Sequence, residues 1–149
     1  MRHVAQYNIG RLRYDLDDPR VADFVNGLDT VNRVAERSEG FVWKYETDVG
    51  GAVDELVEND PRVVINMSVW EDVATLRHFV WNTLHKHFMA RTRDWFEQMD
   101  KAHFVMWWVP VGHVPSLEEA QARLDDYRTH GAGPNVFGWA DVRQNEGTA

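Results

Sequence analysis

The sequence predicts an α+β fold, on three observations. Short runs of alternating β-type residues lie among longer stretches with three- and four-residue apolar spacing. The 149 residues hold seven tryptophans and no cysteine, so no disulfide holds the fold, and the large rings point to a wide aromatic interior, a flat aromatic pocket or a subunit interface. Hydrophobic residues make up 44% and charged residues 27%, the balance of an ordinary globular domain.

Residues 3–12 (HVAQYNIGRL) alternate and read as the first strand. Asp18 is placed to cap a helix and Pro19 suits its first position. Val21, Phe24, Val25, Leu28, Val31 and Val34–Ala35 then recur at helical spacing, so 19–37 is expected to be amphipathic, with Gly40 as its stop. Residues 41–47 (FVWKYET) are a second strand. Gly50-Gly51, the acidic stretch 54–60 and Pro61 form a connection, read as a solvated loop. Residues 62–70 (RVVINMSVW) are a third strand. Glu71-Asp72 opens a helical region over 73–99, with a break near Asn82-Thr83. Residues 103–109 (HFVMWWV) are a fourth strand, ended by Pro110. Ser116 and Glu119 have capping-box spacing for a last helix, 116–130, with Gly131 as its stop. Residues 1–140 read as one domain, and 141–149 as a flexible tail. The order βαββαβ plus a C-terminal helix is the split-βαβ, ferredoxin-like arrangement.

A net charge of −8 without a basic run argues against nucleic-acid binding. No apolar stretch is long enough to span a bilayer, so no membrane partner is expected and a cytoplasmic protein is the default. No P-loop, G-x-S-x-G or G-x-G-x-x-G occurs.

The third and fourth strands are apolar on both sides. Phe104, Met106 and Trp108 point one way, and Val105, Trp107 and Val109 the other. Two helices cover one face of such a sheet. The other face is left to the C-terminal helix or, more completely, to a second subunit, so a homodimer is expected.

Gln6, Asn8, Asn66 and Ser68 are uncharged polar residues on two strands, and Asn is disfavoured in strands. If their faces coincide, they form a polar patch among apolar walls, as a small-molecule pocket does; a buried structural network is the alternative. His78, Trp81, His85, Met89 and Thr92 share one helical stripe. His85 there is either a proton carrier or a packed core histidine. His85 and His87 diverge on a helix, and no H-E-x-x-H is present, so no metal site is expected. His113, in the loop after Pro110, is either a binding residue or a loop hydrogen bond. Trp70 ends the third strand at a rim position and Trp81 faces the same side as His85.

The stretches QYNIGRLR, DDPRVADFVNGLD, GFVWKYE, DPRVVINMSVWEDVATLRHFV, TRDWFEQM and HFVMWWVPVGHVPSLEEAQARL resemble a bacterial domain-of-unknown-function family of the dimeric α+β barrel superfamily. Its wider relatives include cofactor-free, antibiotic-biosynthesis-type monooxygenases and haem-degrading monooxygenases. The latter use an Asn on strand one, a Trp near strand three and a His on the second long helix, matched here by Asn8, Trp70 and His85. The resemblance implies a small-molecule enzyme acting on an aromatic or polycyclic substrate without a bound cofactor, by monooxygenation or by acid–base rearrangement or cyclisation. Asn8, Trp70 and His85 would be catalytic, with Gln6, Asn66, Ser68, Trp81, Met89 and His113 binding substrate. Haem held by His85, and a non-catalytic ligand-binding or stress protein, stay open as alternatives.

Overall fold

A computed structural model describes residues 1–45, 60–84, 88 and 91–142. His85, His87, Met89, most of the acidic connection, strand-two residues 46–47 and tail residues 143–149 lie outside the described residues.

Four strands, β1 (Arg2–Arg11), β2 (Phe41–Lys44), β3 (Val63–Trp70) and β4 (Phe104–Pro110), form one sheet in the order β2-β3-β1-β4. Every neighbouring pair is antiparallel. β1 lies at the centre, with Gln6 opposite Ser68 on one side and Met106 on the other. The pleat sends successive side chains to opposite faces, which makes two cores.

One face gathers Val4, Trp70 and Met106 with Val31 and Ala35 of α1 (Ala22–Arg37) and Val73, Leu76 and Phe79 of α2 (Val73–Phe79). α1 follows a single 3-10 turn, Pro19–Val21, whose cap Asp18 accepts from the Arg20 N–H. The expected cap and first-position proline are both in place. α2 is capped by Asp72, which accepts from the Thr75 N–H at 2.8 Å.

The opposite face gathers Ala5, Tyr7, Ile9, Met67, Val69, Val105, Trp107 and Val109. Ala120 and Leu124 of a long C-terminal helix, Leu117–His130, and Val136 pack into it. Tyr7, Val69, Val105 and Trp107 are all 0% exposed within the single chain. The face that the sequence reading left to a second subunit is therefore covered internally. Burial of the sheet supplies no argument for a dimer.

The region 73–99 is not one helix. α2 passes into a π turn, Val80–Leu84, at the place where a break was expected. A four-residue helix, α3 (Thr92–Trp95), follows, and the C-terminal helix is thus α4. After Trp95 the chain turns extended: the Glu97 N–H donates to Arg11 O at 2.9 Å, and Leu12 bridges Phe96. Gly10 permits this. A Cβ there would lie 2.6 Å from the Phe96 ring. The aromatic contacts of Trp95 and Phe96 with Phe24 close a third apolar cluster at this end. Tertiary packing has overridden helical spacing.

The segment after α4 is irregular, as read, but it is not loose. Phe137 and Met106 exchange backbone hydrogen bonds at 2.7 and 2.9 Å, so the chain pairs with β4 at the sheet edge. Val136, Phe137 and Val142 are buried. The core thus continues two residues beyond the expected end of the domain at 140.

Gly40 joins α1 to β2 with φ of 83°, and a Cβ there would strike the side chain of Thr75 on α2. Both the backbone and the contact demand glycine. Gly40→Ala is expected to lower unfolding free energy by at least about 1 kcal/mol. Urea denaturation of the variant at unchanged m-value checks it; an unaltered midpoint would remove this account of the α1–β2 corner.

Candidate functional site

The central strand carries Gln6 and Asn8 on the face toward α1 and α2, directly opposite Ser68 and Asn66 of β3. Their faces coincide, and the four side chains join. The Gln6 Nε2 group donates to Asn66 Oδ1 at 2.5 Å and to Ser68 Oγ at 2.8 Å. Asn8 Nδ2 donates to Gln6 Oε1 at 3.0 Å. Trp70 Nε1 donates to Ser68 Oγ at 2.8 Å. Gln6 and Ser68 are buried, whereas Asn8 and Asn66 are half-buried, so the row opens toward that end.

Counting donors and acceptors fixes what is left over. Both Nε2 hydrogens of Gln6 are used. Asn66 accepts through Oδ1, so its Nδ2 hydrogens remain unspent. Asn8 donates one Nδ2 hydrogen to Gln6, so among the described residues its Oδ1 remains an unspent acceptor beside a second, unspent Nδ2 hydrogen. The half-buried end presents an acceptor and a donor side by side on neighbouring strands, and no group in the row is ionisable.

An aromatic wall stands beside it. Phe104 of β4 is the partner of Asn8 across the sheet. Trp139 stacks on Phe104 with ring centroids 5.4 Å apart and planes at 16°. Trp81, on the π turn, meets Trp139 edge-on at 5.2 Å. Trp81 is 52% exposed. Trp139 sits on a 3-10 turn, Trp139–Asp141, held at its base. Asp141 Oδ2 accepts from the Gly138 N–H at 3.0 Å and from the Tyr127 hydroxyl at 3.1 Å. Burial, and then the Asp141 carboxylate, raise the pKa of Tyr127, so it stays a neutral donor. The sequence reading had not connected Phe104 and Trp139 with the site. Their signal was the run Val136-Phe137-Gly138-Trp139, too apolar for a fraying tail.

Several expectations are corrected. Trp70 is not at a rim: it is 0% exposed, stacked on Phe79 at 5.0 Å and edge-on to Phe41 at 5.6 Å. It reaches the row only through its indole N–H. The stripe of His78 and Trp81 is not semi-buried. His78 is exposed and its ring Nδ1 lies 3.0 Å from Asn82 Nδ2; the buried stripe is Val73, Leu76 and Phe79. The π turn then shifts the phase, so helical spacing from His78 does not place His85. His85 and Met89 lie outside the described residues.

His113 is at a different place. Its Nε2 lies 2.7 Å from Glu119 Oε1, and Glu119 Oε2 accepts from Trp107 Nε1 at 2.9 Å. Trp107 faces the α4 side of the sheet, away from the row. Glu119 spends its carboxylate here, while Ser116 Oγ accepts from the Glu119 N–H at 3.0 Å as the helix cap. His113 therefore fits the loop hydrogen bond better than a role beside Asn8.

Among the described residues, no cluster of His, Asp and Glu could hold a metal ion. An open groove of about 490 Å3 along β2 is lined by Glu36, Phe41, Val42, Trp43 and Lys44, away from the row. Its two charges pair, Lys44 Nζ to Glu36 Oε1 at 3.2 Å. We take the polar row as the candidate site because unspent polar groups of two neighbouring strands converge there. Also among the described residues, no helix is long and apolar enough to cross a membrane.

Replacing Gln6 by Leu would leave the amides of Asn8 and Asn66 and the Ser68 hydroxyl short of partners. The expected cost is about 1–3 kcal/mol of folding stability. Chemical denaturation measures it; a loss below about 0.5 kcal/mol would mean that the row does not order this face.

The model of a domain of unknown function, DUF3291, matches residues 3–149. The fold is similar to that of a protein of unknown function from Nitrosomonas europaea, with a TM-score of 0.53 and 12% identity over 78% of this chain and 97% of that one. It is also similar to a conserved protein from Methanosarcina mazei Go1, with a TM-score of 0.51 and 14% identity over 74% and 93%. No curated protein matches the chain.

Proposed function

The chain belongs to the DUF3291 family, and from that premise we propose that it is a small-molecule enzyme whose substrate lies against the Gln6–Asn8–Asn66–Ser68 row. The observation that carries this reading is the unspent acceptor of Asn8 and the unspent donor of Asn66, side by side at the half-buried end of a hydrogen-bonded row. An apolar, aromatic enclosure with a few convergent polar groups is the usual form of a ligand site.

The substrate is an aromatic or polycyclic molecule, and the reaction is cofactor-independent oxygenation or an acid–base rearrangement. For oxygenation the balance is simple. A methylene between two aryl groups loses a proton, the carbanion reduces O2, and a carbonyl and one water form. The Asn66 amide N–H holds the substrate's oxygen, and the apolar walls exclude water. Proton transfer needs a titratable group that the row lacks, and His85 takes that role in this proposal. Trp70 acts by holding Ser68, not by touching substrate.

The test is oxygen uptake on an electron-rich fused-ring ketone with a doubly benzylic methylene. His85→Ala should cut turnover by about 10²–10⁴-fold with little change in melting temperature, and Asn8→Leu should raise KM. Absence of uptake and of ligand-induced stabilisation in the wild type would sink the reading, and a Soret band in the purified protein would transfer His85 to haem ligation.

The proposal includes the ferredoxin-like description of the fold, which the strand order supports. It includes a homodimer too, which now rests on the family resemblance alone. Sedimentation equilibrium at micromolar concentration should give about twice the 17.4 kDa chain mass; the single-chain mass would remove the dimer and leave the site intact.

A further inference from the structure

We infer that the ligand of this site is a neutral, planar fused-ring molecule carrying a lactam edge, an N–H beside a C=O. The inference rests on reading the polar row as a ligand site and goes on to name what it takes.

The amide orientations are set from behind. Gln6 is buried in the central strand and donates to both Asn66 Oδ1 and Ser68 Oγ, while its own oxygen accepts from Asn8. Rotating either asparagine amide would set two donors or two acceptors face to face. Gln6 is thus a positioning residue: it makes Asn8 show oxygen and Asn66 show nitrogen. The two residues are direct partners across β1 and β3, whose Cβ atoms lie about 4.5–5.5 Å apart in such pairs. One acceptor and one donor at that spacing match a group that donates and accepts from adjacent atoms. A lactam does so. A carboxylate offers only acceptors, and an ammonium only donors.

Charge points the same way. No ionised side chain belongs to the row, so an ionic ligand would lose its hydration without a counter-charge. Ring shape comes from the wall. Phe104 flanks Asn8 on the side away from Asn66, Trp139 stacks on Phe104, and Trp81 extends the aromatic surface outward. A flat ring system with its polar edge at the asparagines continues that surface. Trp81 leaves half its surface exposed at the outer end of that wall.

Three probes separate the possibilities: 2-quinolone, which has the edge; N-methyl-2-quinolone, which lacks the donor; and naphthalene, which has the rings alone. Binding is followed by tryptophan fluorescence and by calorimetry. The wild-type chain should bind 2-quinolone at least about tenfold more tightly than either other probe. Asn66→Asp keeps the oxygen that accepts from Gln6 but removes the outward donor. It should bring 2-quinolone down to the level of its N-methyl derivative, and Trp139→Ala should weaken all three probes together. Equal affinity of the wild type for the three probes would overturn the lactam edge while leaving an aromatic pocket. No binding of any probe would overturn both the inference and the site on which it rests. The comparison of probes on the wild type needs no variant, so a poorly folding substitution does not spare the proposal.

Discussion

A buried, uncharged amide in the middle of the central strand is the constraint on which the helix-facing half of this molecule depends. Gln6 is 3% exposed, and an unpaired amide in that position would cost several kcal/mol. The sheet avoids the cost by placing polar partners on β3 at the two nearest positions of the same face, Asn66 and Ser68. That choice binds register. A slip of one residue between β1 and β3 would bring Met67 or Val69 opposite the amide and turn Asn66 and Ser68 to the other core. The polar row therefore specifies strand pairing as well as a site. Trp70 extends it: its ring fills the core between Phe41 and Phe79, and its N–H finishes at Ser68.

The two faces of the sheet solve different problems. The α4 side is mainly apolar in its strands, and the few polar strand groups there are met by α4, Tyr7 by Gln121 and the Trp107 indole by Glu119. The α1–α2 side carries the row and remains half-open at Asn8 and Asn66.

The four strands, the Asp18 cap of the turn leading into α1, the break at Gly40 and the polar row were legible, because each depends on local chemistry or on period-two alternation. The row could be proposed from Gln6, Asn8, Asn66 and Ser68 because β1 and β3 both alternate cleanly. What failed was everything decided by distant contacts. The region 73–99 carries helical spacing, yet Phe96 leaves the helix to lie on Gly10, a contact over more than eighty residues that no local pattern records. The π turn at Val80–Leu84 breaks the arithmetic that tied His78, Trp81 and His85 to one stripe. Trp139 was invisible as a wall residue because its position depends on a single bridge, Met106 to Phe137.

The row also decides which part of the chemistry the described structure can carry. Four uncharged groups and an indole can orient a neutral ligand and strip water from it, but they cannot exchange a proton near neutral pH. Any acid–base step must therefore come from outside the row. Among the described residues, Lys44, opposite Ser68 on β2, is paired with Glu36 at 3.2 Å, and His78 faces solvent. In the proposed reaction, orientation falls to the rigid sheet, and proton transfer to a residue outside the row. Substitutions in the row should then move affinity, and substitution of His85 should move turnover, which makes the division itself measurable through KM and kcat.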